Sequence, residues 1–170
     1  PLVYKIATQD WEFDLIHRLN YRTFVEEIPQ HQHNPSGRLV DKFHAQNTYI
    51  ICLSGEELIG MVALRAERPF SLDQKLPDLN GYLPAGRKLC EVRLLSVEPK
   101  LRKISVFLGL ILRLVEVAKA RGYDMALISG TTRQLKLYQR LGFVPFGPVV
   151  GSGDARYQPM YLSLEGFEEQ

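Results

Sequence analysis

Cysteine is scarce in this sequence. There are two, Cys52 and Cys90, far apart and without a CxxC spacing, which excludes a disulfide framework and a thiolate metal set. Both stand in apolar, strand-like runs, so buried free thiols in a reducing, cytoplasmic compartment are expected. Charge of one sign is lacking as well. Lys and Arg total 21 against 19 acidic residues, a net charge of +2, so there is neither a basic field for nucleic acid nor an acidic tail for a basic partner. Long hydrophobic runs are missing: residues 104–112 are the longest uncharged apolar stretch, about half of a membrane span, so no membrane partner is expected. The opening residues show no signal-peptide pattern, and Pro1 stands where a start methionine would, so a piece of a longer chain or a processed product is expected. Repeats and low-complexity tracts are absent. What remains is an ordinary globular composition, 45% hydrophobic, 24% charged and 10% aromatic over 170 residues. That is enough for about one domain, expected to span residues 1–170.

Hydrophobic spacing orders the elements. Residues 4–8 read as a short strand, after which Thr8 or Asp10 can cap a helix. Over residues 11–27, Leu15, Ile16, Leu19 and Thr23 step by three and four, with Phe13 and Phe24 flanking the stripe and Asn20 interrupting it, until Pro29 stops the helix. Residues 30–37 are a polar loop. Residues 47–53 and 58–65, joined by a turn at Ser54-Gly55-Glu56-Glu57, read as a hairpin. Residues 70–86 form a long connection interrupted by Pro77, Gly81, Pro84 and Gly86, with one short helix at 72–76. Residues 89–98 are a strand, 106–121 an apolar helix ending at Gly122, and 124–129 a strand. Thr131 or Thr132 caps a helix to Leu141. Residues 143–147 are strand-like, 151–154 a turn and 157–164 a last strand. The order β-α-β-β-(loop)-β-α-β-α-β-β implies an α/β (α+β) fold, a central mixed sheet with helices on both faces, and a right-handed crossover from 89 to 129.

Two stretches carry chemistry. In Leu95-Ser96-Val97-Glu98-Pro99-Lys100-Leu101-Arg102-Lys103-Ile104-Ser105-Val106-Phe107 a strand stops at proline and a basic turn feeds a helix. Free amides and the dipole at a helix start, with Arg102 and Lys103 beside them, make a phosphate-binding mouth. A solvated basic turn is the plain alternative. In Gln134-Leu135-Lys136-Leu137-Tyr138-Gln139-Arg140-Leu141-Gly142-Phe143 a helix ends at glycine before an aromatic, and Tyr138 taken alone is packing.

Together and in this order, the two stretches resemble the GCN5-related N-acetyltransferase (GNAT) superfamily. Val97, Pro99 and Arg102 match its V-x-P-x-x-R-x-x-G-x-G motif. Ser105 and Phe107 replace the glycines, and Phe107 is expected to narrow the approach. Residues 137–143 match L-Y-x-K-L-G-F, while Thr131 stands where many members have asparagine. The resemblance implies a mostly antiparallel twisted sheet and a bound acetyl-CoA or other acyl-CoA as co-substrate, with no metal. It implies a pantetheine beside Leu95, Ser96 and Val97, with Thr131 on the facing strand, and a thioester oxygen held by a strand N–H. It also implies a pyrophosphate on Arg102, Lys103, Ile104, Ser105, Val106 and Phe107. Tyr138 matches the tyrosine that protonates the departing thiolate.

The base is expected at Glu91. Glu91 and Arg93 share one strand face, and a charged pair there is either an internal ion pair or part of a site. Glu26 and Glu27 are alternative bases or a solvated helix end. Tyr21-Arg22-Thr23-Phe24-Val25-Glu26-Glu27 resembles the first-helix signature of the N-acyl amino acid synthases and acyl-homoserine-lactone synthases. That implies an acyl donor on coenzyme A or an acyl carrier protein, and Arg22, Glu26 and Arg93 on the acceptor side. Asp41, Lys42 and His44 lie in the loop that commonly lines the acceptor in the superfamily. His31, His33 and His44 lack the carboxylates or cysteines of a metal set, so a solvated loop is expected. Neither cysteine has a histidine to activate it, so transfer is expected to be direct, to a primary amine of a small-molecule acceptor. Oligomeric state is open, a dimer included. The alternative function is a non-catalytic acyl-CoA-binding or regulatory module attached to another enzyme domain.

Overall fold

The computed structural model describes residues 1–153 and 155–165. The chain divides into two compact units, Pro1–Leu64 with Leu94–Leu114, and Arg65–Arg93 with Val115 onward. In the first, β1 (Val3–Ile6) pairs antiparallel with β2 (Thr48–Ser54), from Val3↔Leu53 to Ile6↔Ile50. A tight turn with Gly55 at φ 60° leads β2 into antiparallel β3 (Glu57–Arg65). Against these strands packs α1 (Asp10–Tyr21), burying Ile16 and Leu19 with Tyr49, Ile51, Leu53 and Met61. The helix runs on as a π-helical turn, Arg22–Glu27, and stops before Pro29 as the sequence requires. Its start differs from expectation. Gln9, not Thr8 or Asp10, is the N-cap residue, and Glu12 Oε1 accepts from the Thr8 and Gln9 amides at 2.8 and 2.9 Å. Glu12 is buried and its other oxygen meets Lys5 Nζ at 2.7 Å, so one side chain satisfies the helix start and anchors the strand before it. Asn20, which breaks the apolar stripe, is also buried and donates to Leu39 O at 2.9 Å.

Strand β4 (Leu89–Val97) is a neighbour of β3 and feeds the 3₁₀ turn Pro99–Leu101 and then α3 (Ile104–Ala120). Within the first unit, Gly60 lies against Val97 and Leu110, where a Cβ would stand 3.0 Å from Val97 Cγ2, so β3, the end of β4 and α3 approach closely only because that position is bare.

In the second unit, the 89–91 end of β4 runs parallel to β5 (Met125–Thr131), from Leu89↔Met125 to Glu91↔Leu127. β5 pairs antiparallel with β8 (Ala155–Ser163) along its whole length, Met125↔Ser163 to Thr131↔Tyr157. β6 (Val144–Pro145) and β7 (Val150–Ser152) both pair antiparallel with β8. Two helices belong here, α2 (Ser71–Lys75) in the long connection and α4 (Leu135–Arg140) after a 3₁₀ turn at Thr132–Gln134. Phe70, Leu72, Leu76 and Leu79 bury against Met125 and Leu127. The expected turn at 151–154 is corrected: Gly151 and Ser152 belong to β7, turned by Gly153, and Asp154 lies outside the described residues. The fold class is the expected mixed α/β, with mostly antiparallel pairing and β4–β5 as a parallel pair.

Candidate active site

The strand-to-helix stretch lies in the first unit. Leu95, Ser96 and Val97 are buried. Just before them Leu94 adopts φ 59°, a left-handed conformation rare for a residue with a branched side chain. Such a residue interrupts the alternation of backbone N–H directions along a strand, and local strain of this kind collects at functional sites. At the turn, Arg102 donates from Nε to Val97 O at 2.9 Å and grips both oxygens of Glu27, at 2.6 and 2.5 Å. Each partner favours the other's charge: the guanidinium holds the Glu27 carboxyl below its ordinary range, and Glu27 raises Arg102 further. Arg22 makes a second ion pair with Glu98. Thus Arg22 and Glu27, on the turn that ends the first helix, are cross-linked to Glu98 and Arg102 on the strand-to-helix turn. At the head of α3, Lys103 and Ser105 are exposed, Ile104 is half-buried, and Val106 and Phe107 are buried. Phe107, expected to narrow the approach, is 7% exposed.

Tyr138 and Thr131 lie in the second unit. The Tyr138 ring is buried between Gly130 and Phe143. A Cβ at Gly130 would stand 2.7 Å from the ring, and the Phe143 ring centroid is 6.2 Å away. Its hydroxyl donates to Gln134 Oε1 at 3.1 Å, and Thr131 Oγ1 reaches the same oxygen at 3.4 Å. Burial pushes the phenol well above its ordinary value, which keeps the hydroxyl protonated and makes it a reluctant acid. Gln134 was not singled out from sequence, although its spacing four residues before Tyr138 places the two on one helical face.

Glu91 is placed where base chemistry is blocked. Its side chain is 1% exposed, and its oxygens accept from Ser71 N at 3.0 Å, Ser71 Oγ at 2.8 Å and Leu72 N at 3.0 Å. Arg93 Nε and Arg65 Nη1 stand 3.8 and 4.0 Å from Oε1. A fully buried carboxylate with three donors on it anchors the start of α2, and has no open lone pair aimed at a substrate. Of the two readings of this charged strand, the geometry favours the internal anchor. Ser71, the residue that engages it most, carries no motif in the sequence.

On the loop after the first helix, His44 Nδ1 lies 2.9 Å from Tyr49 Oη, and the His17 and His44 rings meet edge-on at 4.8 Å. Asn47 bridges Asp41 Oδ2 and Tyr49 Oη at 2.8 and 3.2 Å. Burial, and then His44, lower the His17 pKa. His44 is thus half-buried in an ordered polar network rather than solvated, which corrects that expectation; Lys42 is exposed and lies over the Phe43 ring. Arg22 and Glu26 are both exposed. Cys52 and Cys90 are buried, and burial pushes the Cys90 thiol up to about 12, which keeps it from acting as a nucleophile. Among the described residues no helix is long and apolar enough to cross a membrane.

The mixed, mostly antiparallel sheet with its parallel β4–β5 pair is a GNAT-like fold. A family model for the N-acyl amino acid synthase FeeM matches residues 15–163, and the chain belongs to that family. Solved structures agree on the fold. FeeM, an N-acyl amino acid synthase from uncultured soil microbes, is 21% identical over 100% of this chain and 94% of that one, with a TM-score of 0.75. The acyl-homoserine-lactone synthase LasI is 16% identical over 97% and 91%, with a TM-score of 0.79. The CoA-dependent acyl-homoserine-lactone synthase BjaI, solved with SAM and isopentyl-CoA, is 20% identical over 90% and 76%, with a TM-score of 0.73. No curated protein sequence matches the chain. Family membership makes the chain an enzyme, and nothing favours the non-catalytic module.

Proposed function

We propose that residues 1–170 act as one cytoplasmic acyltransferase domain that moves an acyl chain from a pantetheine thioester, on coenzyme A or on an acyl carrier protein, directly to the amine of a free amino acid. The observation that carries the reading is the Arg102 fork. Nε is fixed on the chain's own Val97 carbonyl while the two terminal nitrogens hold an oxyanion, here the Glu27 carboxylate. A phosphate of the donor meets that fork with the same bidentate geometry, in exchange for Glu27, beside the amides of the α3 start. The neutral amine nitrogen attacks the thioester carbon, the carbonyl oxygen gathers charge, the carbon–sulfur bond breaks to release the thiolate, and the proton lost by the nitrogen passes to solvent water. A strand N–H in the distorted Leu94–Val97 stretch is the oxyanion donor. Tyr138 serves the leaving sulfur by donating a hydrogen bond to the thiolate, a role that its burial favours over full proton transfer. Glu91 acts as a positioning residue, holding the start of α2. Arg22, Glu26 and Arg93 remain acceptor-side candidates.

The test is turnover. Octanoyl and dodecanoyl groups on coenzyme A and on a carrier protein are offered with a panel of amino acids, and free thiol and N-acyl product mass are followed. Amine-dependent thiol release with matching product supports the reading. Thiol release that no amine accelerates, across both donors, overturns it.

A further inference from the structure

We propose that Gln134 is the positioning residue of Tyr138: its side-chain amide accepts the phenol proton in the resting enzyme and, turned over, donates to the phenol oxygen while that proton is offered to the departing sulfur. The inference rests on the leaving-group role of Tyr138 given above. Gln134 stands at the N-cap position of α4, where a side-chain oxygen ordinarily accepts from the amides of the first turn. Its side chain caps none of them. Thr131, the N-cap residue of the 3₁₀ turn Thr132–Gln134, leaves its turn uncapped in the same way. Both side chains meet at one point instead: Gln134 Oε1 accepts from Tyr138 Oη at 3.1 Å and from Thr131 Oγ1 at 3.4 Å. Two helix starts thus forgo their caps and hold a buried phenol.

The chemistry of the three groups supplies the reason. A hydroxyl donates one proton and accepts on its oxygen, while a glutamine amide carries two lone pairs on Oε1 and two protons on Nε2. In the resting arrangement both hydroxyl protons lie on Oε1. A half-turn about the last side-chain torsion exchanges Oε1 for Nε2, and the same two hydroxyls then accept one proton each. That torsion is broad and two-fold, and it needs no backbone movement. Gln134 is half-buried, whereas the Tyr138 ring is enclosed by Gly130 and Phe143, so the amide is the part with room to turn. The phenol proton, released from Oε1, swings towards the sulfur. It stays on the Tyr138 oxygen, and only its partner changes. The new N–H matters because burial disfavours the charge that gathers on the phenol oxygen as its proton is shared. A donor on that oxygen offsets part of the desolvation and strengthens the O–H towards the thiolate, which exists only once the carbon–sulfur bond gives way. An ionised glutamate at this position accepts only, and a leucine does neither.

The decisive variants are Gln134→Glu and Gln134→Leu, each alone and combined with Tyr138→Phe, in steady-state kinetics with one acyl-CoA and one amino acid. Gln134→Glu keeps the shape and the acceptor but loses the donor. Its kcat is expected to fall roughly 10-fold or more, with the donor KM nearly unchanged. The deficit relative to wild type is expected to shrink as pH is lowered towards the carboxylate range, because a protonated carboxyl regains a donor. Gln134→Leu is expected to lose kcat by a smaller factor that pH does not move. In Tyr138→Phe neither substitution lowers kcat further, since both act through the hydroxyl. If Gln134 only braces α4, its substitutions lower the melting temperature and their effects on kcat multiply with Tyr138→Phe. Multiplicative losses, or a Gln134→Glu deficit that is constant with pH, overturn the inference. Should Gln134→Glu fail to fold, the cycle of Gln134→Leu with Tyr138→Phe decides alone. A kcat that survives Tyr138→Phe overturns the leaving-group role and this inference with it, whereas a wild type without amine-dependent turnover overturns the proposed function as a whole.

Discussion

Two glutamates that face arginines sit in opposite surroundings. Glu91 has a 1% exposed side chain, three hydrogen bonds from the start of α2 and two guanidiniums near 4 Å. Glu27 is 39% exposed and is gripped by Arg102 at 2.5 Å. The geometry of the Glu27 pair is the better one, yet it is the weaker structural contact. Water screens it, and an incoming anion can replace the carboxylate. At Glu91 nothing can enter, and removing the carboxylate leaves buried donors and cations uncompensated. Burial, not residue type, separates an anchor from an exchangeable site.

Substitution sharpens that contrast, and the largest effect belongs to the buried glutamate. Glu91→Ala is expected to cost about 3 kcal/mol, a melting-temperature fall of roughly 10 °C at this chain length. Unchanged melting with abolished kcat would break the comparison and return Glu91 to the role of base. Next is buried Tyr138. Tyr138→Phe keeps the packing against Gly130 and Phe143 and removes one hydrogen bond, so kcat is expected to fall roughly 10- to 100-fold with the donor KM nearly unchanged. On the exposed side, Arg102→Ala is expected to raise the donor KM about 10-fold with little loss of kcat, because the phosphate contact is the same in ground and transition states. Steady-state kinetics with acyl-CoA separates these two variants.

The smaller effects concern pH. Burial depresses the His17 pKa, so between the folded and the ordinary value of 6.5 the unfolded chain binds the proton and the folded chain does not. The contribution is complete above about pH 6.5 and is lost as pH falls below it. Melting temperatures followed from pH 7.5 to 5.5 should therefore decline, and His17→Gln should flatten the decline. Glu27 is the mildest case. Its pKa is lowered by Arg102, so the pair stabilises above the ordinary carboxylate value and the contribution fades as pH falls through that range toward the depressed pKa. At its exposure the whole contribution is below about 1 kcal/mol. Glu27→Gln should barely move the melting temperature, while lowering the donor KM by removing a competitor for Arg102.

Much of this was legible in the residues because it is local. The stripe of Leu15, Ile16 and Leu19, the β-branched run at 47–53 and the Gly142 stop each fix an element through spacing within a few residues. The site frame was legible for the same reason: Val97, Pro99 and Arg102 follow one another across a single turn. Other features depend on partners that no local pattern reveals. Asn20 looked like a defect in a helix stripe, and it is a buried clamp on Leu39, 19 residues away. Thr8 and Asp10 are ordinary caps by composition, but Gln9 holds the cap position and Glu12 reaches back to the Thr8 and Gln9 amides. β7 is three residues with one glycine, and pairing with β8 alone makes it a strand.

The sequence by itself determined the order of elements, the mixed α/β class, the acyltransferase family and the position of the arginine and tyrosine motifs, since periodicity and turn chemistry act over short distances. Tertiary structure decided the fate of the charges. It set Glu91 on Ser71, Arg102 on Glu27 and Lys75 on Ser129, contacts spanning 20, 75 and 54 residues. Whether a charged side chain is buried and paired, or exposed and exchangeable, depends on what folding brings against it, and that quantity is not written at its own position.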